Sequence, residues 1–307
     1  MHINLHLLRI FFAVAEQKSF SRAADTLFIS QPAVSKAVRE LERQLELPLL
    51  ERGAAGAKGV RLTASGAALF EHARGIFALE RAATEDIRAR VGLKRGRLAV
   101  GASTTIAGYW LPPYAAAYSE QFPAIELKIG VGNTQTIAHA LIDCEFDVAL
   151  VEGVVNDPRI AAAHWRDDKL QIIAPVDAAL ARRRKPSPQE LNDQVWLLRE
   201  PGSGTREVTE RMMREHRISP KRTIELGSNE GIARAVASGL GVAMLPARVL
   251  RELILLEQVK ALNYPADSAL VRPLFLLHLQ DRPPSPLTRA FCELLQRHRF
   301  DRSSVSA

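Results

Sequence analysis

Three groups of residues in this 307-residue chain are spaced to work on a polyanion or a small anion. The first lies between Gln31 and Leu45. At about 100° per residue, Val34, Val38, Leu41 and Leu45 fall within a narrow arc, while Pro32, Lys36, Arg39 and Arg43 cluster opposite, with Ser35 at the edge. Such a helix is either an ordinary amphipathic surface helix or a reader of the major groove. In the second reading Gln31 and Ser35 reach base edges, and Lys36, Arg39 and Arg43 meet bases or phosphates. The second group is Arg52, Lys58 and Arg61. They flank a Gly/Ala loop, Gly53–Gly59, between two short apolar runs, which reads as a β-hairpin wing with cations for the DNA backbone or minor groove. The third group is three hydroxyl-bearing turns, each following an apolar strand: Ser103-Thr104-Thr105, Gly132-Asn133-Thr134 and Gly202-Ser203-Gly204-Thr205-Arg206. Each is either a plain helix cap or part of an anion cleft, with Arg206 adding charge. Glu152, closing the strand Asp147–Val151, either orients a ligand cation or protonated oxygen, or serves as a hinge or salt-bridge residue. Tyr109 and Trp110 either line that cleft or fill core.

The elements that hold these groups are legible in part. Leu5, Leu8, Phe12 and Ala15 give one apolar stripe on a first helix, Leu5–Glu16. Ser19-Phe20-Ser21 starts a second helix, Ser21–Leu27, whose Ala23 and Ala24 let a neighbour approach closely. Phe28-Ile29-Ser30 is a turn, Ser30 an N-cap, and Pro32 sits where its missing N–H is harmless. Residues 64–91 form one long helix. Leu69, Ala73, Ile76, Ala83 and Ile87 recur at three, four or seven, with Phe70 and Phe77 beside them. That stripe serves either dimerisation or packing on its own domain. Gly92–Gly96 looks like a hinge. From Gly96 onward, strands (Arg97–Ala102, Glu126–Val131, Asp147–Val151, Leu170–Pro175, Val195–Arg199, Gly241–Leu245, Pro273–His278) alternate with helices, as in a parallel α/β sheet. Arg182–Pro188 is either a DNA arm or a solvated loop.

Composition narrows the function. Hydrophobic residues make up 47% and charged residues 24%, as in a globular protein of two or three domains. No apolar run approaches the roughly 20 residues that span a membrane. Residues 1–30 carry charges throughout and lack a secretory core, so a cytoplasmic home is expected. Cys144 and Cys292 are the only cysteines, excluding a disulfide scaffold and a zinc ribbon. The net charge of +7 favours a polyanionic partner. No HExxH, GxSxG, Walker lysine loop or GxGxxG is present. His139, His164, His216 and His278 lack metal-ligand spacing, and Cys144 lies between two acids that disfavour a thiolate. We therefore expect no enzyme, no metal and no cofactor. A transport binding protein or a DNA-packing protein is a poorer fit, given the Gln31–Arg43 face and the large C-terminal region.

Leu8–Ala15, Ser19-Phe20-Ser21-Arg22-Ala23-Ala24, Ser30-Gln31-Pro32-Ala33-Val34-Ser35, Leu41-Glu42 and Leu62-Thr63-Ala64-Ser65-Gly66 together resemble the LysR-type transcriptional regulators. The resemblance implies a winged helix-turn-helix with Gln31, Pro32, Ser35 and Lys36 facing the operator. The loop Gly53–Lys58 is a few residues longer than the family's usual wing. Gly101–Pro113, Val131–Thr134 and Arg199–Glu207 look like the branch that regulates sulfur assimilation and carbon dioxide fixation. In sulfur regulators, positions matching Ser103 and Thr105 contact a bound oxyanion. The implied fold is α/β: an N-terminal winged helix-turn-helix (1–63), a linker and dimerisation helix (64–91), then a periplasmic-binding-protein-like effector domain (92–307). We expect two α/β lobes there, lobe I over 96–165 and 271–298 and lobe II over 166–270. The implied partners are a pseudo-palindromic operator in double-stranded DNA, a second copy or dimer pair of the chain, and RNA polymerase. The implied effector is a small anion, sulfate or sulfite or a small carboxylate; with the hydroxyl-bearing turns and Glu152 read above, we expect it to be bound by Ser103, Thr104, Thr105, Asn133, Thr134, Glu152, Ser203, Thr205 and Arg206. An organic acid metabolite is the alternative.

Overall fold

The computed structural model describes residues 2–51, 60–90, 96–265 and 270–297. The chain divides into two compact units, Met1–Thr84 and Glu85–Ala307.

The first unit opens with three helices, α1 (Leu5–Gln17), α2 (Phe20–Leu27) and α3 (Gln31–Leu45). Asn4, Ser19 and Ser30 cap them by accepting N–H hydrogen bonds in the first turn. Each ends on a left-handed residue that is not glycine: Lys18, Phe28 and Glu46. Their facing sides bury Leu8, Phe11 and Val14 of α1, Ala23 and Ala24 of α2, and Val34, Val38 and Leu41 of α3. Beyond α3 an antiparallel bridge pairs Leu50 with Leu62, and the Glu42 carboxylate accepts from the Leu49 and Leu50 amides at 2.8 and 3.1 Å. The rest of the expected wing, with Arg52 and Lys58, lies outside the described residues, as do residues 91–95 of the expected hinge.

A long helix follows, α4 (Ala64–Arg90). Gly66 in its first turn is obligatory, because a Cβ there would lie 1.9 Å from the Leu49 carbonyl oxygen. The expected apolar stripe divides. Ala73 and Phe77 are buried on the first unit's core, with Leu69 and Phe70 against it, and Phe12 stacks on Phe70 at 5.1 Å. Leu69 and Ala73 of the line and Phe70 and Phe77 beside it thus share the packing. Ile76, Leu79 and Ile87 remain exposed.

The second unit is α/β. Its main sheet runs in the order β2 (Ile125–Gly132), β1 (Gly96–Ser103), β3 (Val148–Glu152), β9 (Leu270–Leu279), β4 (Ile160–Pro175) and β7 (Ala243–Pro246), with β8 (Val259–Ala261) also on β4. A parallel pair, β5 (Val195–Leu198) and β6 (Arg222–Glu225), forms a second sheet, tied to the main one by a bridge between Trp196 and Val242 just before β7. β1 pairs in parallel with β2 and β3, but every pairing of β4 and β9 is antiparallel. The purely parallel expectation is corrected there. β4 and β9 pair from Ile160↔Leu279 to Leu170↔Leu270, with a register shift between His164 and Arg166. They run past one core around Leu98, Tyr118 and Phe291 and reach another around Trp196, Met212 and Met244. Both strands are longer than expected, because polar residues from His164 to Lys169 hide the first half of β4. β6 and β8 are too short to register in the sequence pattern.

The helices that matter for the site are α5 (Thr104–Tyr109), α7 (Thr134–Ile142), α9 (Gly204–Glu215), α10 (Asn229–Ala237) and α11 (Ala247–Leu255), with α6 (Pro112–Gln121), α8 (Pro188–Asn192) and α12 (Pro286–Arg297) covering the cores. Arg182–Lys185 is exposed, and Arg183 pairs with Glu190 at 2.8 Å. No helix among the described residues is long and apolar enough to cross a membrane.

Candidate DNA interface and effector cleft

On α3 the apolar residues turn inward, and Gln31, Pro32, Lys36, Arg39 and Arg43 are exposed, with Ser35 half-buried. The Gln31 amide nitrogen donates to Ser35 Oγ at 3.5 Å, and Arg39 Nε donates to the Ser35 carbonyl at 3.2 Å. Arg43 differs from its neighbours. It donates twice to the Glu40 carboxylate, at 2.9 and 2.6 Å, which holds that carboxyl below its ordinary range. Part of its hydrogen-bonding capacity is therefore already engaged by a carboxylate one turn away. Arg61 is exposed beside the bridge, its carbonyl accepting from the Glu51 amide. A groove bounded by Lys18, Arg22, Ser35, Arg39 and Glu51 adds two cations missed from the sequence. Lys18 and Arg22 flank the α1–α2 turn, which the wheel of α3 alone cannot reveal.

In the second unit the three hydroxyl-bearing turns do start helices. Ser103 Oγ accepts from the Ile106 amide, and Asn133 Oδ1 from the Thr136 amide. Ser203 precedes α9 without a side-chain cap bond. Gly204 lets α9 start against β3: a Cβ there would lie 2.6 Å from the Glu152 carbonyl oxygen. Thr105, Thr134, Glu152, Ser203 and Thr205 are all buried.

What joins them is a residue the sequence reading passed over. Arg272 of β9 is fully buried. Its Nε and Nη2 donate to Asp168 Oδ2 at 3.0 and 2.8 Å, its Nη1 to Thr205 Oγ1 at 2.8 Å, and its Nη2 also to Thr105 Oγ1 at 3.3 Å. Glu152 Oε1 lies 3.4 Å from the same Nη2. Burial pushes the Asp168 carboxyl up, against the pull of Arg272. A second buried guanidinium, Arg199, donates to Thr104 Oγ1 at 3.2 Å, to Asn229 Oδ1 at 3.0 Å and to the Glu200 carboxylate. Asn229 Nδ2 donates in turn to Thr105 Oγ1 at 2.9 Å. Arg272 and Arg199 show in the sequence only as single charges beside apolar runs, Asp168 lies in the polar stretch that hides the first half of β4, and Asn229 gives no signal. A charge at zero exposure survives only when paired and hydrogen-bonded, so such residues mark a built polar network.

Two expected roles change. Arg206 does not bring open charge to the cleft: it donates to Glu210 at 2.7 Å, to Glu225 at 2.8 Å and to the Arg199 carbonyl. Asn133 serves mainly as the α7 cap, its Nδ2 donating to Glu200. A cavity of about 540 Å³ lies alongside, lined by Thr134, Gln135, Val155, Ser203, Arg206 and Glu207 among others. Trp110 and Tyr109 pack as partly buried core residues, Trp110 edge-on to Trp165 with the Arg248 guanidinium 3.8 Å from its ring centroid. Cys144 is buried. Among the described residues no three His, Cys, Asp or Glu side chains lie together as a metal site.

A helix-turn-helix carrying an exposed cationic helix, joined to an α/β unit with a buried polar network beside a cavity, suggests the class of effector-binding DNA-binding regulators. Residues 5–67 match the family described as "Bacterial regulatory helix-turn-helix protein, lysR family", and residues 92–299 the "LysR substrate binding domain". The chain belongs to the LysR family of transcription regulators, and it is a DNA-binding regulator and not an enzyme. It is 32% identical over 272 residues to the regulator CysL of Bacillus subtilis, covering 89% of this chain and 90% of that one. It is 31% identical over 294 residues to the RuBisCO operon transcriptional regulator of Acidithiobacillus ferrooxidans, covering 96% and 94%. These matches place it in the branch of sulfur and carbon-fixation regulators. Among solved structures it resembles a full-length variant of OxyR from Pseudomonas aeruginosa (25% identity, TM-score 0.73, 96% and 94% covered). It also resembles the CcmR regulatory domain of Synechocystis PCC6803 in complex with 2-PG (28%, TM-score 0.60, 66% and 96%).

Proposed function

We propose that this regulator senses a small anion in the cleft of its second unit and changes its operator binding in response. The observation that carries the reading is the meeting of Thr105, at the start of α5, and Thr205, at the start of α9, on one buried guanidinium. These helices belong to the two lobes we assign to 96–165 with 271–298 and to 166–270. Threonine hydroxyls and the uncapped amides of α9 are donors that an oxyanion accepts from. Gln31, Ser35, Lys36, Arg39 and Arg61, with Arg52 and Lys58 of the wing, contact the operator. Two copies pair through the exposed Ile76, Leu79 and Ile87 of α4 to meet a pseudo-palindromic site in the cytoplasm, where RNA polymerase is recruited. The coupling between cleft and operator needs only about 1–3 kcal/mol.

An organic acid is the second reading. The neighbouring cavity of about 540 Å³ is larger than an inorganic oxyanion fills, and the CcmR domain is complexed with 2-PG. The test is a thermal-shift and calorimetric screen of the full chain against sulfate, sulfite, phosphate and small carboxylates. A ligand at 100 times its Kd stabilises by about 2.7 kcal/mol. Ser103→Ala and Thr205→Val should weaken that response. If both variants respond like the parent, the cleft is not the sensor.

A further inference from the structure

Hydrogen-bond capacity in the cleft points to a finer property of the ligand. Thr105 Oγ1 accepts from both Asn229 Nδ2 and Arg272 Nη2, so both its acceptor positions are filled and its remaining role is to donate. Thr205 Oγ1 accepts from Arg272 Nη1 and likewise keeps a hydrogen to donate. Glu152 is the opposite case. Its side chain is only 4% exposed, yet its contacts are long: 3.4 Å from Arg272 Nη2 and 3.4 Å from Thr134 Oγ1. The two hydrogens of Nη2 are already directed at Asp168 and Thr105. The Thr134 hydroxyl makes its shorter bond, 2.9 Å, to the Glu152 carbonyl instead. A nearly dry carboxylate is therefore left with acceptor capacity beside a set of donors. Its nearest charged contact is Arg272 on β9, which Asp168 on β4 already engages, and Glu207 on α9 lies beside the adjoining Gly153.

We propose that Glu152 selects for effector anions that carry an acidic hydrogen, and against fully deprotonated ones. The ligand's oxygens accept from Thr105, Thr205 and the α9 amides, while its own O–H donates to Glu152. Phosphate keeps such a hydrogen near neutral pH in both its mono- and dianion, and hydrogen sulfite keeps one in its monoanion, whereas a phosphomonoester has mostly lost its own. Sulfate does not, and it would set an oxyanion against a buried carboxylate with no hydrogen between them. The inference rests on the cleft reading above, and it names the ligand class of that site.

Phosphate and sulfate make the discriminating pair, since they match in shape and differ in the hydrogen. Calorimetric titration of the full chain should show phosphate or hydrogen sulfite binding at least about 100-fold more tightly than sulfate. Glu152→Gln replaces an acceptor by an amide that also donates, and it should bring sulfate to within about threefold of phosphate. Glu152→Asp keeps the carboxylate and should keep the discrimination, which separates selection from a mere loss of folding. Sulfate binding to the parent as tightly as phosphate, or selectivity unchanged in Glu152→Gln, would overturn the selection while leaving the cleft reading in place. If neither these oxyanions nor small carboxylates bind the parent, the cleft reading itself falls, and this inference with it.

Discussion

The two functional regions handle charge in opposite ways. On α3 the cations are exposed, and water screens them. In the second unit Arg272, Asp168 and Glu152 are almost wholly out of water and hold one another, and Arg199 is tied to them through Asn229 and Thr105. Exposed charge leaves a fold unperturbed when removed and shows itself mainly in binding. Buried charge is part of the fold, and removing one member strands the rest. The same residue types therefore do separable work in the first unit and inseparable work in the second.

The sharpest way to break this contrast is Arg272→Met. Stranding Asp168 and Glu152 without their cation should destabilise the second unit by about 3–5 kcal/mol in chemical unfolding. Adding Asp168→Asn should recover part of that loss. Equal stability of parent and Arg272→Met would show that the network is not structural. Next come Lys36→Ala and Arg39→Ala. Each should weaken operator binding by about 1 kcal/mol or more and lower the salt dependence by about one ion, without moving the unfolding transition. Arg43→Ala should cost less affinity than either, because Glu40 already engages it; an equal loss in filter-binding titrations would mean the pair opens on DNA. The smallest effect is expected at an exposed pair, Asp157 with Arg159. Hydrogen bonds from the Arg159 side chain and amide hold the Asp157 carboxyl down at about 2, below its ordinary 3.8. Its contribution is thus present above the ordinary range and lost as pH falls toward 2. Water screens this pair, so Asp157→Asn should lower Tm only slightly at neutral pH, with the gap to the parent closing on acidification.

The same contrast explains what could be read in advance. The limits of α3, Gln31 to Leu45, follow from a cap, a proline and a helical stripe, all of them local signals. Ser103, Asn133 and Ser203 announced helix starts for the same reason. Arg272 and Asp168 gave no such notice. They face each other across β4 and β9, 104 residues apart, and only that pairing reveals why two charges sit in strands. On α4 the spacing of Leu69, Ala73 and Ile76 was visible, but the partner of each face was not. Phe70 and Phe77 meet Phe12, a contact set by tertiary structure and not by periodicity.

The ladder between β4 and β9 has a mechanical consequence. Hydrogen bonds lace the two strands on both sides of the irregularity at His164 and Arg166. The interruption bends and twists the ribbon locally. Asp168 and Arg272 sit just beyond it, so their buried guanidinium–carboxylate contact acts as a rivet, fastening side chain to side chain where the backbone ladder changes register.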